Sequence, residues 1–322
     1  MKIPVLILIG PTAIGKTALS LRIASTFGCE IISMDSMQVY RYMDIGTAKA
    51  SKEEQALIRH HLIDIVDPDV QYNAARFVRD AMAAVHDIHS RGKIPLLTGG
   101  TGLYLSSLNN RLFDTVQIPH GVRSQLQQRL EEEGREVLFQ ELTACDPESA
   151  ARIHPNDSQR LLRGLELYAV TGIPWSEHIR RQQMRPRKPL LPTQLQIGLR
   201  CDRFLLYQRI QQRTEIMMQA PFQQEVEELL ARGYDSELPS MQSLGYRHMI
   251  RHIQGAWSLD AACQSLITDT RRYAKRQLTW FRANPDIHWF DRNHPEAIFP
   301  LIKQFLHNSF PPAQTLAPRS HA

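Results

Sequence analysis

Gly10-Pro11-Thr12-Ala13-Ile14-Gly15-Lys16-Thr17 stands between an apolar run at 3–9 and a segment with helical periodicity at 18–27. The apolar run is typical of a buried parallel strand. The pattern G-x-x-x-x-G-K-T between a strand and a helix is that of a phosphate-binding P-loop. Its glycines let backbone N–H groups converge at a helix N-terminus, the lysine adds a positive charge, and the Thr17 hydroxyl can hold Mg²⁺. The stretch therefore predicts an α/β fold that binds a diphosphate or triphosphate through residues 10–17.

Composition and charge place the chain among globular proteins of about two domains. It has 322 residues, of which 43% are apolar, and a formal net charge of +5. No run approaches the roughly 20 apolar residues of a membrane span, and the first apolar run leads into the P-loop rather than into a cleavage site. The four cysteines lie far apart and show neither a disulfide pattern nor a zinc pattern. We therefore expect a cytoplasmic protein without a membrane segment, acting as a monomer.

Two further strand ends carry polar residues that could reach the P-loop. Asp35 follows a predicted strand at 30–34, and Thr101 follows another at 94–97. Parallel α/β sheets bind ligands at the carboxyl ends of their strands. Asp35 could therefore be a general base, a metal ligand through water, or only the N-cap of a helix. Thr98 stands where ATPases often place an aspartate, which argues against nucleotide hydrolysis.

The middle of the chain changes from alternating strands and helices to helices alone. Helical patterns at 122–133, 136–144 and 157–170 follow one another without a strand signal. We predict an α/β fold in which a P-loop parallel-sheet core flanked by helices, 1–117 and 191–308, is interrupted by an all-helical insertion at 118–190. The segment 309–322 has three prolines and few apolar residues and is predicted to be a disordered tail.

Two basic segments favour a polyanionic partner. Residues 180–189 include five basic residues and no acidic one, and their prolines predict an extended arm rather than a long helix. The predicted helix at 269–282 carries a stripe of cations at helical spacing, formed by Arg271, Arg272, Lys275, Arg276 and Arg282. Such a stripe suits a nucleic-acid backbone. Trp280 and Phe281 lie beside it and are expected in the core rather than as platforms for stacked bases.

Eight motifs, in this order, resemble those of the tRNA dimethylallyltransferase family. They are GPTAIGKT from Gly10, DSMQVY from Asp35, MDIGTAK from Met43, HHLID from His60, GGTGLY from Gly99, IHPNDSQRLLRGLE from Ile153, LGYRHM from Leu244 and TRRYAKRQLTWFR from Thr270. The resemblance covers nearly the whole chain, to about Phe290. It implies a P-loop core whose helical insertion clasps the anticodon stem–loop of tRNA. It also implies transfer of a dimethylallyl group from dimethylallyl diphosphate, with Mg²⁺, to the exocyclic amine of the adenosine next to the anticodon on its 3′ side.

The resemblance also implies a role for particular residues. Lys16, the rest of the P-loop and Arg213 would bind the diphosphate leaving group, with Mg²⁺ on Thr17. Asp35 would accept the proton of the adenine amine, and Thr101 would hold the amine or the bridging oxygen. The positions that would face the tRNA are Asp35, Ser36, Met37, Gln38, Thr101, Arg123, Gln159, Arg160, Leu161, Leu162, Arg163, Gln242, Ser243, Leu244, Gly245, Tyr246, Arg247, Lys275, Arg276 and Arg282. Gln38, with a donor and an acceptor, could read the splayed bases.

Four positions depart from the family pattern, and two other functions stay open. Ile14 replaces a usual serine and removes one possible hydroxyl contact to the diphosphate. Pro221 replaces a usual glycine, and Gln242-Ser243 differs from common variants. A P-loop small-molecule kinase would transfer phosphate from ATP and would have little use for basic stripes. A non-catalytic RNA-binding P-loop protein would bind tRNA without turnover.

Overall fold

A computed structural model of the chain describes residues 3–110, 116, 118–184 and 189–309. The predicted disordered tail, from residue 310 onward, and the basic residues Arg185, Arg187 and Lys188 lie outside the described residues. The chain divides into two compact units, one formed by Met1–Leu108 with Leu190–Ala322 and the other by Asn109–Pro189. No helix in the described ranges is long and apolar enough to cross a membrane.

The first unit is built on a parallel six-stranded sheet with the order β3-β2-β4-β1-β5-β6. The strands are Pro4–Ile9 (β1), Cys29–Met34 (β2), His60–His61 (β3), Ile94–Gly99 (β4), Thr193–Arg200 (β5) and Ile287–Asp291 (β6). Every residue of β1 and β2 is buried, because helices cover both faces of a parallel sheet. The predicted α/β class is confirmed.

Helices flank this sheet and complete the core of the first unit. They are Lys16–Phe27 (α1), Lys52–Leu57 (α2), Ala74–Ser90 (α3), Gly102–Asn110 (α4), Arg203–Gln219 (α10), Phe222–Ala231 (α11), Tyr246–Ile253 (α12), Leu259–Arg282 (α13) and Ile298–Ser309 (α14), with a short 3-10 turn at Pro295–Ala297. Leu6, Leu8, Ile23, Ile197 and Ile210 are at the centre of this apolar core. Helix α13 begins at Leu259, behind a Ser258 cap, and is therefore a full ten residues longer than the basic stripe alone indicated.

The second unit consists, in its described part, of helices. These are His120–Glu132 (α5), Arg135–Cys145 (α6), Pro147–Arg152 (α7), Ser158–Thr171 (α8) and Trp175–Met184 (α9). Leu126, Leu138, Leu142 and Leu165 form its apolar core together with Leu161.

Helix α9 corrects the prediction of an extended arm at 180–189. Arg180 and Arg181 are helical, and both bind Glu177 on the preceding turn. A proline disfavours the helical conformation at the residue directly before it, so the helix can still run up to Met184. The first two charges of this basic segment are therefore neutralised within the protein.

The register of the sheet brings three strand ends to one place. Ile9 pairs with Gly99 of β4 and with Gly198 of β5, while Met34 pairs with Gly99 from the other side. A Cβ at Gly99 would lie 2.1 Å from the Met34 carbonyl oxygen, so only glycine permits this approach of the two strands. As a result the P-loop after β1, the turn after β2 and the turn after β4 share one edge of the sheet.

Candidate active site

The P-loop is shaped for an anion before any ligand arrives. Gly15 and Ala13 have φ angles of 105° and 63°, which turn the backbone into the left-handed region just ahead of α1. No side chain caps this helix, so its first N–H groups point at the loop's interior. The Lys16 ammonium donates to the carbonyls of Gly10 and Pro11, at 3.0 and 2.9 Å. The predicted loop is therefore present with its lysine folded over it.

A pocket of about 230 Å³ opens at this edge of the sheet. It collects side chains from distant parts of the chain, namely Thr12, Lys16, Thr17, Asp35, Gln38, Thr98, Arg209, Arg213, Tyr273 and Gln277. Among them are six residues to which the sequence and its family resemblance gave a role, namely Thr12, Lys16, Thr17, Asp35, Gln38 and Arg213, whereas Thr101 is not among the lining residues. The structure thus places these predicted residues in one enclosure.

The charges in this pocket favour a negatively charged ligand. Burial lowers the pKa of the Lys16 ammonium to about 8, an effect that Asp35 opposes and Arg213 reinforces. Burial also lowers the pKa of Arg213, whose Nη1 donates to the Thr12 hydroxyl at 2.9 Å. Neither cation forms an ion pair with a carboxylate in the described part of the chain. Two enclosed cations without such a partner are stabilised when an anion binds between them.

Asp35 uses one carboxylate oxygen for structure and leaves the other free. Its Oδ1 accepts the backbone N–H of Met37 at 2.8 Å, which closes a tight turn after β2. No helix starts there, so the helix N-cap alternative is wrong. The Oδ2 atom makes no hydrogen bond with any other residue that the structure describes. A carboxylate held in this way can accept a proton from a ligand in the pocket.

The end of β4 and the turn that follows it each contribute one threonine. The Thr101 hydroxyl accepts the backbone N–H of Ser36 at 3.2 Å, which links it to the Asp35 turn. Its carbonyl accepts the N–H of Tyr104, so Thr101 also starts α4. The Thr98 hydroxyl oxygen is buried and makes no hydrogen bond within the described part of the chain. Thr98 lines the pocket, and its oxygen is therefore a free polar group beside the P-loop.

Gln38 was predicted to read the splayed bases, but its side-chain amide forms hydrogen bonds within the protein. Its Oε1 accepts the Ser33 hydroxyl at 2.9 Å, and its Nε2 donates to the carbonyl of Ala48 at 3.2 Å. The amide is therefore engaged at both ends in holding the loop around residues 44–48 against β2. Because it also lines the pocket, it can contact a ligand only while keeping or exchanging these bonds.

The residues of α12, of α13 and of the stretch before α12 that were predicted to face tRNA differ in exposure and in pairing. Lys275, Arg276 and Arg282 are exposed, and no ion pair joins them to a carboxylate of the described chain. Arg247 forms an ion pair with Asp269. Tyr246 is fully buried, and its hydroxyl donates to Glu225 at 2.5 Å, so this ring is part of the core. The other positions of this stretch, Gln242, Ser243, Leu244 and Gly245, precede α12.

Trp280 corrects another prediction. Its ring is 48% exposed and packs on Gly102 at the start of α4, while the neighbouring Phe281 is fully buried as expected. Consecutive residues on a helix point about 100° apart, so only one of the two can face the sheet. Trp280 thus presents a half-exposed aromatic surface against Gly102, the residue next to Thr101 in the chain.

In the second unit the predicted tRNA-facing residues are also divided. Leu161 is fully buried in that unit's core, so its side chain is not available to a ligand. Arg123 and Arg163 both bind the buried carboxylate of Glu166. Gln159 and Arg160 are exposed at the beginning of α8, and Leu162 is partly buried.

Sequence reasoning missed Gln277, which joins the P-loop to the β4 turn. Its Oε1 accepts the Thr12 N–H at 2.9 Å, and its Nε2 donates to the Gly100 carbonyl at 2.8 Å. A Cβ at Gly100 would lie 2.3 Å from that nitrogen, so the turn is fitted to this amide. Gln277 is the only amide side chain in the TRRYAKRQLTWFR motif, and the spacing of that motif indicates only its basic stripe. Arg209 and Arg292, which also contact the P-loop, carried no sequence signal.

Comparison with known proteins agrees with this geometry. The family model described as IPP transferase matches residues 38–284. A tRNA dimethylallyltransferase of Desulfotalea psychrophila is 51% identical over 306 residues, covering 95% of this chain and 96% of the relative. The crystal structure of a tRNA isopentenylpyrophosphate transferase from Bacillus halodurans superposes with a TM-score of 0.68 at 36% identity, covering 95% of this chain and 97% of that one. A eukaryotic dimethylallyltransferase, solved in a study of its action on tRNA, gives 0.79 at 30% identity and covers 95% of this chain and 80% of its own.

The relative and the two structures each cover 95% of this chain, and these matches confirm the resemblance that the eight motifs indicated. The chain belongs to the IPP transferase family.

Proposed function

We propose that the chain transfers a dimethylallyl group from dimethylallyl diphosphate to the exocyclic amine of the adenosine on the 3′ side of the anticodon in tRNA, with release of diphosphate. One observation carries the proposal. An anion-binding loop, two cations without a carboxylate partner and a free carboxylate oxygen meet in one pocket of about 230 Å³. An anionic leaving group and a proton acceptor are the two requirements of this reaction. The names of the relatives favour it over the kinase and over the non-catalytic alternative.

The leaving group is stabilised by the loop and its cations. As the C–O bond to the prenyl carbon breaks, negative charge develops on the diphosphate. The P-loop N–H groups, Lys16 and Arg213 lie where they neutralise this charge. Since these groups are positioned before the reaction, little reorganisation is needed.

The described residues could bind Mg²⁺ with few protein ligands. The described residues contain no cluster of three or more His, Cys, Asp or Glu side chains for a metal ion. Mg²⁺ is commonly held by one or two protein oxygens, phosphates and water. The exposed Thr17 hydroxyl at the start of α1 would hold it, and the ion would then supply positive charge to the diphosphate.

The acceptor needs a base and an orientation. The adenine amine is a weak nucleophile and loses a proton as the C–N bond forms. Oδ2 of Asp35 accepts this proton, while the Thr101 hydroxyl, tied to the same turn, orients the amine. The adenine enters the pocket only after it leaves the anticodon stack. All of these groups come from one chain, and we propose that a monomer in the cytoplasm is the working form.

A single incubation tests this function. The protein, unmodified tRNA, dimethylallyl diphosphate and Mg²⁺ should yield isopentenyl-adenosine on mass spectrometry of the digested tRNA, without ATP. Omission of the donor is the control. A requirement for ATP, or its consumption, would support the kinase instead. Tight tRNA binding with no modified nucleoside would support a non-catalytic RNA-binding protein.

A further inference from the structure

Two arginines that have no assigned role bind backbone carbonyls of the P-loop, and one of them, Arg209, also lines the pocket. Arg209 on α10 donates its Nε to the Ala13 carbonyl at 2.7 Å. Arg292, just after β6, donates its Nε to the next carbonyl, that of Ile14, at 3.1 Å. The Nη2 atoms of both guanidinium groups lie 3.7 Å from the point where a side chain on Gly15 would begin. Two positive charges therefore converge on one spot beside the loop.

Among the residues that the structure describes, no carboxylate forms an ion pair with either guanidinium group, although surface arginines elsewhere in the chain form such pairs repeatedly. The pKa of Arg209 is lowered by burial and by the neighbouring charge of Arg292. Like charges held together without a counter-ion are unfavourable in the free protein. Their convergence is explained if an anion occupies the space between them.

The position of the pair indicates which part of the donor it meets. The charge of Asp35 acts on both Arg213 and Lys16, whereas the charged neighbour that acts on Arg209 is Arg292. Arg209 precedes Arg213 by four residues, which is about 6 Å along the helix. Because the prenyl carbon must lie near Asp35 to react, the phosphate bonded to it lies at the Lys16 and Arg213 end. The far end of the loop is left for the other phosphate.

We propose that Arg209 and Arg292 bind the terminal phosphate of the donor's diphosphate and make the site select a diphosphate over a monophosphate. The inference rests on the proposed function for the identity of the donor. It adds a specificity element to that site: the terminal phosphate is recognised by two guanidinium groups whose Nε atoms are already fixed by loop carbonyls. Their remaining N–H groups are thereby directed at the ligand.

Calorimetric titration of single variants tests the proposal. Arg209→Gln and Arg292→Gln should each weaken dimethylallyl diphosphate binding by about 10- to 100-fold, the range for hydrogen bonds to charged groups. Binding of dimethylallyl monophosphate should change by less than about threefold, because it lacks the terminal phosphate. Arg203→Gln is the matched control, since Arg203 lies on the same helix but stacks on Tyr207. It should leave both affinities unchanged.

The conservative variant Arg292→Lys should keep part of the diphosphate affinity because it keeps the charge. Equal weakening of both ligands would show that the arginines only shape the loop and would overturn the proposal. Unchanged diphosphate binding would also overturn it. Titrations with inorganic diphosphate and inorganic phosphate separate failure of this proposal from failure of the proposed function. If the parent protein binds diphosphate but prenylates no tRNA, the donor assignment fails. A loss of diphosphate selectivity in the variants would still support binding of the terminal phosphate by Arg209 and Arg292.

Discussion

Asp35 combines a structural bond and a free oxygen on one carboxylate, and this allows the two roles to be separated. Asp35→Asn keeps an oxygen to accept the Met37 N–H, so the turn should persist. The variant loses the group that accepts the amine proton, and general-base removal costs about 10²–10⁴ in rate. We expect that loss in single-turnover experiments at saturating donor, with tRNA affinity little changed because phosphate contacts dominate it. A rate within a few-fold of the parent would show that the proton goes elsewhere.

Lys16 gives the donor site a predictable pH dependence. Its pKa of about 8 in the free protein means that the ammonium loses its proton within an accessible range. Since the anion binds the protonated form, the dissociation constant of dimethylallyl diphosphate should vary little between pH 7 and pH 8. Above it, the constant should rise about tenfold per pH unit.

Lys16→Arg is the matched comparison for this pH dependence. A guanidinium stays protonated over this range, so its titration should be flat even if the affinity is lower. A parent profile as flat as that of the variant, measured by calorimetry between pH 7 and 9.5, would contradict the prediction.

At the scale of elements, Glu225 ties α11 to the loop that Gln38 also holds. Its carboxylate accepts the N–H groups of Asp44, Ile45 and Gly46 at 3.0, 2.7 and 3.2 Å. A Cβ at Gly46 would lie 2.4 Å from the Tyr246 ring, so the loop is closely packed where the carboxylate binds it. Because Glu225 binds the loop at residues 44–46 and Gln38 binds it at Ala48, the loop connects α11 to the edge of the pocket.

Glu225→Gln should loosen this loop. An amide offers one acceptor oxygen in place of two and turns an NH₂ group toward backbone donors, so at least one bond is lost. We expect hydrogen–deuterium exchange of the amides at 44–46 to become at least about tenfold faster, the equivalent of roughly 1.4 kcal/mol. Glu227→Gln, on the exposed side of the same helix, should leave them unchanged. Unaltered exchange in both variants would mean that packing alone holds the loop.

The elements that the sequence predicted well are those with a strong local pattern. Strands β1, β2 and β4 and helices α1 and α3 have apolar periodicity and clear end signals within their own residues. Strand β3 has two residues and carries no such pattern, and it exists because it pairs with β2. The prolines predicted an extended arm at 180–189, but α9 continues to Met184. A proline disfavours the helical conformation only at the residue directly before it, so it does not unwind the turn that contains Arg180 and Arg181.

The site was predictable to the extent that its residues belong to one motif. Lys16 and Asp35 follow directly from strand ends that must share a sheet edge. Arg213 came only from the family resemblance. Gln277, Arg209 and Arg292 act by binding backbone groups 177 to 278 residues away in the chain, and such contacts leave no spacing to detect.

For the whole molecule, the number of basic residues in a segment is a poor guide to RNA binding because several of these cations are already paired. Arg180 and Arg181 bind Glu177, and Arg272 binds Asp269. By contrast Lys275, Arg276 and Arg282 are exposed on α13 without an ion pair to the described residues. The cations available to a polyanion are therefore fewer than the basic residues that the two segments contain.

This count makes the salt dependence of tRNA binding a quantitative prediction. If the three free cations of α13 each neutralise one phosphate, log Kd against log salt should have a slope of magnitude about 2–3 from them alone. A further contribution from residues 180–189 would raise it to about 3–5. Replacing Lys275, Arg276 and Arg282 with Gln should lower the magnitude by about 2–3. Replacing Arg180 and Arg181 with Gln should change it by less than about 1, since Glu177 already holds them.

A flat response in the parent would exclude α13 from the RNA contact. A large drop in the second variant would show that its ion pairs open on binding, since RNA phosphates then compete successfully with Glu177.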